Sequence, residues 1–329
     1  MSQSDELMHP VKKEAAWSES YYFNFVDPET KLAMFTRMGF RPGDGWADGL
    51  HVVYLGGDRV AFTYGRRDIG EDLSQYNGDL KVGNLSLTCD EPFGHWTIGY
   101  HGPAQDIQDA AILLERSKAR PDGWYTPAEL DMDISFDALY PPHYAARGEK
   151  GHFEQTGKVT GNISIAGQTY PVNGYGVRDK SWGPRDWGAG GGGGSSSQQQ
   201  PAGPAPFVNW FSMNFGPDLA LGGSCFRHAD GVMRGSGWLQ EKGENDDLTD
   251  VVITSRYQPE SILHTEITLT GKTGKGRSIE VEGQILTICP TKIPMPGGAT
   301  FVNEGLAQFS CDGLTGYGIS EHWHMVKKS

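Results

Sequence analysis

A two-residue alternation of apolar and polar side chains, repeated over many short segments, limits this chain more than any other feature. In Leu130-Asp-Met-Asp-Ile-Ser-Phe136 the apolar side chains fall on even positions and the polar ones on odd, which is the period of a strand with one buried face. Pro141 and Pro142 then end the ladder, because proline has no N–H to donate. Segments 51–55 and 60–64 flank Gly56-Gly57-Asp58, and segments 159–165 and 169–172 flank Ala166-Gly167-Gln168, so each pair reads as a hairpin. Over 261–269, Leu263, Thr265, Ile267 and Leu269 share one face, and a return strand follows over 278–288. The 46 glycines and 19 prolines stand mostly singly between such segments, as in a chain of many strands and turns. Gln108 to Ala119 alone suits a helix as well as a strand.

These patterns predict an all-β protein. The one low-complexity stretch, Gly188 to Pro206, runs through glycine, serine, glutamine and proline and has too little apolar surface to offset its ordering entropy. It is expected to be a linker or mobile loop over 188–206 at the junction of two strand-rich domains, 17–187 and 207–329. The second region holds about eight strand candidates, enough to close a meander on itself.

Charge and composition exclude several classes. Net charge is −13 with lysine and arginine scattered, so no nucleic-acid partner is expected. No run of about eighteen apolar residues occurs, and Met1 to Ala16 has no apolar core, so neither a membrane span nor a signal peptide is expected and the address is cytoplasmic. Cys89, Cys225, Cys289 and Cys311 are far apart with no CxxC, which suits free thiols rather than a zinc or disulfide framework. Gly271 to Ser278 misses the phosphate-loop pattern by an arginine and reads as a hairpin turn. Asn84 and Asn162 head glycosylation sequons without a secretory signal and read as strand residues. His322 and His324 share a strand face with Ser320 and Gly318, an arrangement that suggests solvent, and no third ligand follows by spacing, so no metal is expected.

Two places could carry chemistry. Tyr175, Arg178, Asp179, Lys180, Trp182, Arg185, Asp186 and Trp187 crowd one short stretch; the bland reading is an Arg–Asp network with aromatic covers. Asp179 lies between Arg178 and Lys180 with Arg185 nearby, so it is expected to stay ionised. In the last strand Tyr317, Ile319, Trp323 and Met325 fall on the odd positions, and Glu321 lies among them. A carboxyl there either pairs with a buried cation or keeps its proton and can act as a general acid.

At these places the chain resembles the two-domain carotenoid hydratase and AttH-like proteins. Gly174 to Gly183 is similar to their G-x-Y-x-D-H-N-W-G signature, Gly316 to His322 to their closing G-x-G-Y-L-E strand, and Asn209-Trp210-Phe211-Ser212 to the Trp-rich strand that opens their second barrel. Asp179, Trp182 and Gly183 match the first motif and Glu321 the last, while Lys180 and Ser181 replace the family's His and Asn. A relay through that imidazole is therefore not expected. The resemblance implies tandem lipocalin-like barrels, an apolar cavity, and acid-catalysed addition, elimination, cyclisation or isomerisation of unsaturated lipids such as terpenoids. The expected enzyme is a cofactor-free lyase, hydratase or isomerase in which Glu321 donates the proton and Asp179 balances charge. Tyr175, Trp182, Trp187, Trp210, Tyr317, Trp323, Arg178 and Arg185 would bind the substrate. The alternative is a non-catalytic binding protein for a hydrophobic metabolite, and either could be a homodimer.

Overall fold

The computed structural model describes residues 3–11, 16–185, 205–295 and 297–327. Almost all of the expected linker, 188–204, and Trp187 lie outside them. The chain divides into two compact units, one of Met1–Leu55, Val60–Ile107 and Tyr125–Arg185, the other of Gly56–Arg59, Gln108–Trp124 and Asp186–Ser329.

The first unit is antiparallel sheet: β1 (Trp17–Val26), β2 (Ala33–Arg41), β3 (Trp46–Tyr54), β4 (Val60–Asp68), β5 (Leu80–Val82), β6 (Leu85–Glu91), β7 (His95–Ile107), β8 (Thr126–Ala138), β9 (His143–Ala146), β10 (Gly151–Ile165) and β11 (Gln168–Pro184). The order is β4-β3-β2-β1-β11-β10-β8-β7-β6-β5, β9 pairs with β10, and β4 also pairs with β7. The sheet therefore closes through β4 and β7, leaving β5, β6 and β9 outside the ring. Closure removes the unpaired edges that an open sheet would expose.

The expected hairpins form. The β10–β11 turn consists of Ala166 and Gly167, both at positive φ (50° and 81°), as the right-handed twist of a two-residue hairpin requires. The alternation of Leu130 to Phe136 puts Leu130, Met132, Ile134 and Phe136 in the core. Gln108 to Ala119 forms neither an α-helix nor a strand but two 3-10 turns, Ala110–Leu114 and Ser117–Ala119. The Asp109 side chain caps the first by accepting from the Ala111 N–H at 2.9 Å, which satisfies an otherwise orphaned donor.

The second unit is a closed barrel of β12 (Val208–Asn214), β13 (Leu219–Arg227), β14 (Met233–Glu241), β15 (Glu244–Tyr257), β16 (His264–Thr273), β17 (Ser278–Met295), β18 (Gly298–Cys311) and β19 (Leu314–Lys327), each strand paired with the next and β12 with β19. The phosphate-loop near match is the turn between β16 and β17, as expected. All four cysteines are free, Cys89 half-buried and the others buried.

Aromatic and aliphatic side chains pack inside each barrel, with Phe23, Trp96, Phe136 and Phe153 in the first and Phe211, Leu221, Leu269 and Phe309 in the second. Two clefts of about 280 Å³ occur in the second unit. One is lined mainly by charged side chains, Glu241, Lys275 and Arg277 among them, and the other by a mixture of Leu263, Ile285 and Ile288 with His264, Asp58 and Asp109. Among the described residues no helix is long and apolar enough to cross a membrane.

Candidate active site

Strand pleating sorts the crowded part of β11 into two groups. Trp182 belongs to the core of the first barrel, and the Arg178 guanidinium lies 5.1 Å from the Phe153 ring centroid and 5.5 Å from that of Trp96. Lys180 shares this inward face and is ion-paired to Glu19 on β1. Asp179 and Ser181 therefore take the opposite face. The expectation that Arg178 and Lys180 hold Asp179 ionised fails for this reason: they are its neighbours in sequence but lie across the sheet, committed to Glu6 and Glu19.

On its own face Asp179 stands opposite Glu154 of β10 and Tyr22 of β1. His152, two residues before Glu154, shares that face. Its Nε2 is 2.9 Å from Glu154 Oε1 and its Nδ1 is 3.5 Å from Asp179 Oδ2, so the imidazole bridges two carboxyl groups. Burial raises the Asp179 carboxyl above its ordinary range; Glu154 adds to the rise, and His152, Arg185 and Arg37 oppose it. Burial alone would lower His152, but the Asp179 and Glu154 carboxylates outweigh it and hold the imidazole above its usual value. A carboxyl whose ionisation burial disfavours and an imidazole whose protonation the carboxylates favour form a coupled pair that can share one proton, which is an acid–base device.

The three groups offer ligand atoms within 4.8 Å of one another, closer to a metal set than the sequence suggests. The carboxylates, however, face different nitrogens of one ring, whereas a metal-bound imidazole turns its second nitrogen away from the ion toward an outer partner. A proton relay suits this geometry better.

The remaining candidates are dispersed. Arg185 donates to Ser181 Oγ at 3.1 Å. Tyr175 is half-buried, with the Lys158 ammonium 4.2 Å from its ring centroid. Trp182 donates its indole N–H to the Gly148 carbonyl at 2.9 Å and stacks on His9 at 4.1 Å.

In the second unit Glu321 shares a face with Ile319 and Trp323, as expected, and accepts the Trp323 indole N–H. It lies opposite Glu304 on β18 and Trp210 on β12, all three buried. This is the face turned away from the barrel core, since core residues Phe211, Ala307 and Phe309 lie on the other one. Tyr317 pairs with Gln308 at 3.2 Å.

The core side of β19 carries Ser320, His322 and His324, and here the expectation of solvent fails. His322 is 0% exposed and His324 1%. The His322 ring stacks on His264 at 3.5 Å, and the Tyr257 hydroxyl is 2.9 Å from its Nδ1. Burial, with His324 adding, lowers His264 to about 3; burial and the two neighbouring imidazoles take His322 well below its ordinary value. Both stay neutral at physiological pH.

His152, Glu154 and Glu304 were not legible as site residues. The signal for the first two is a His-x-Glu on a strand, which acquires meaning only once β10 is registered against Asp179.

Residues 2–326 match the family described as a domain of unknown function, DUF7064. No curated protein matches the chain. An AttH-type protein from Nitrosomonas europaea has a similar structure, with a TM-score of 0.59 at 15% identity over 99% of this chain and 96% of its own. For kievitone hydratase from Nectria haematococca the values are 0.54 and 10%, over 100% and 95%. For CghA they are 0.54 and 12%, over 96% and 89%. At these identities the likeness establishes the fold, the two-barrel AttH-like architecture.

Proposed function

The chain belongs to the DUF7064 family and has the AttH-like fold, and from that premise we propose that it is a cofactor-independent lyase, hydratase or isomerase acting on a hydrophobic unsaturated small molecule. The observation that carries this is the His152 imidazole held between Asp179 and Glu154. One structural neighbour is named a hydratase, and adding water across a double bond needs the two parts this trio can supply. A proton passes from the Asp179–His152 pair to one alkene carbon. Water attacks the cation at the other carbon and gives up its proton, which returns to the trio through Glu154, so the enzyme ends as it began. Elimination is the same sequence reversed.

In this reading Asp179 moves from charge balancer to proton donor. Glu321, beside Glu304, Trp210 and Trp323, is a second carboxylate candidate in the other unit.

The test is incubation of the full chain with isoprenoid and other unsaturated lipid alkenes and their alcohols, followed by mass spectrometry for gain or loss of one water. Conversion by the wild type should fall about a hundredfold or more in kcat for Asp179→Asn and His152→Gln, with KM within a few-fold. Conversion that survives Asp179→Asn would remove the trio from the mechanism. A ligand that co-purifies and is never altered would favour the metabolite-binding reading.

A further inference from the structure

The other face of β11 holds two fully buried cations that the proposed reaction does not use. The Arg178 guanidinium donates through Nη1 to Glu6 Oε2 at 2.9 Å, through Nη2 to Glu6 Oε1, and through Nε to Gln155 Oε1 at 2.7 Å. Gln155 is itself fixed, its amide donating to the Phe93 and Tyr140 carbonyls at 2.9 and 2.8 Å. The Phe93 backbone N–H supplies another donor to Glu6 Oε1 at 2.7 Å. One carboxylate thus receives three N–H groups from a preset fork and a backbone amide, with the Phe93, Trp96 and Phe153 rings 5.1 to 5.9 Å from the guanidinium carbon. This is the recognition geometry of a carboxylate carried on an apolar body.

The carboxylate filling it does not come from the barrel. Glu6 ends a four-residue 3-10 turn, Gln3–Glu6, that belongs to no strand. Residues 5–9 dock by side-chain contacts: Asp5 accepts from the Tyr144 hydroxyl at 2.7 Å, and the Glu6 carbonyl accepts from the Tyr21 hydroxyl at 3.1 Å. The Met8 amide donates to Asn77 at 2.8 Å, and the His9 amide to Glu19 at 3.0 Å. Met8 enters the core and His9 covers Trp182. Replacing a buried ion pair by apolar side chains is often neutral or stabilising, so a barrel core has no general need of one.

We propose that the first barrel contains a binding site for the carboxylate of a hydrophobic acid, centred on Arg178, and that Glu6 in segment 3–11 occupies it as a displaceable internal ligand. The site is independent of the reaction proposed above.

The experiment uses the full chain with cis-parinaric acid as probe and its methyl ester as control, read by energy transfer from tryptophan. Glu6→Gln keeps the shape of the segment but removes the competing charge, so it should bind the acid at least tenfold more tightly than wild type and the ester no better. The double variant Glu6→Leu/Arg178→Leu, which leaves no unpaired charge, should lose that gain. In the wild type, saturating acid should speed hydrogen exchange of the Met8 and His9 amides, and the ester should not. Equal binding of acid and ester, or no gain in a folded Glu6→Gln, overturns the proposal. If that variant does not fold, the wild-type exchange decides, and unchanged Met8 and His9 protection overturns it.

Discussion

Trp182 and Asp179 are three residues apart in one strand and have opposite surroundings. From its type and position Trp182 is expected to bind substrate, yet its indole is 4% exposed, hydrogen-bonded to Gly148 and edge-on to Phe153, which is the setting of a core side chain. Trp182→Phe should therefore cost about 1–3 kcal/mol through the lost N–H and reduced packing, and Trp182→Ala about 3–5 kcal/mol. Urea denaturation of both variants checks this, and a Trp182→Ala chain as stable as wild type would return the residue to the surface of a site. Asp179 shows the reverse case. Its sequence neighbours are cations, but pleating replaces them with Glu154, Tyr22 and His152, so burial rather than opposite charge dominates its titration.

The pairing of β11 with β1 and β10 is the element on which both faces depend. Between the Phe23–Arg178 and Val26–Tyr175 pairs the ladder gives way to a side-chain bond, the Asn24 amide oxygen accepting from the Val177 N–H at 3.1 Å. The β1 backbone approaches so closely there that a Cβ on Gly176 would sit 1.7 Å from the Asn24 carbonyl oxygen. Only glycine fits without moving the strand. Gly176→Ala should destabilise the chain by about 2 kcal/mol or more and shift His152 and Asp179 relative to each other. The first effect shows in the denaturation midpoint at unchanged m-value, the second in the imidazole resonance of His152. A variant within 0.5 kcal/mol of wild type would mean that the strands separate at little cost.

At the scale of the molecule, both barrels hold neutral histidines in their cores. Burial lowers His51, in the first, to about 3 and, with His324, His264, in the second, to about 3, and takes His322 well below its ordinary value of 6.5. In the unfolded chain all three regain ordinary values. Below pH 6.5 the unfolded state therefore binds more protons, and stability, complete above that pH, is lost as pH falls toward 3. Asp179 is raised in the folded chain, so below its folded value it binds more protons in the native state and offsets part of the loss, whereas the raised His152 contributes stability that is complete below pH 6.5 and lost as pH rises above it. With roughly 1.4 kcal/mol per proton and pH unit, the three histidines alone should cost about 3–4 kcal/mol between pH 6 and pH 5, less the part that Asp179 returns. Urea midpoints at those two pH values measure it, and His322→Gln should flatten the slope. A stability that is level from pH 7 to pH 5 would contradict neutral burial.

The sequence by itself determined the all-β class, the hairpins at 56–58 and 166–168, the strands of the closed second barrel and the resemblance to AttH-like proteins. These are local properties: alternation of period two, turn residues at positive φ and short motifs act over a few residues, and the chain displays them before it folds. Which face of each strand turns inward is not local, because an alternating polar strand such as β19 offers two faces and only barrel closure selects one. Closure buried His322 and His324 and turned Glu321 away from the core. Register across β10 and β11, set by pairings 25 residues apart in sequence such as Glu154 with Asp179, brought His152 and Glu154 to Asp179. The docking of Glu6 on Arg178 spans 172 residues. No pattern within either segment announces it, because the charges meet only when the barrel has formed around them.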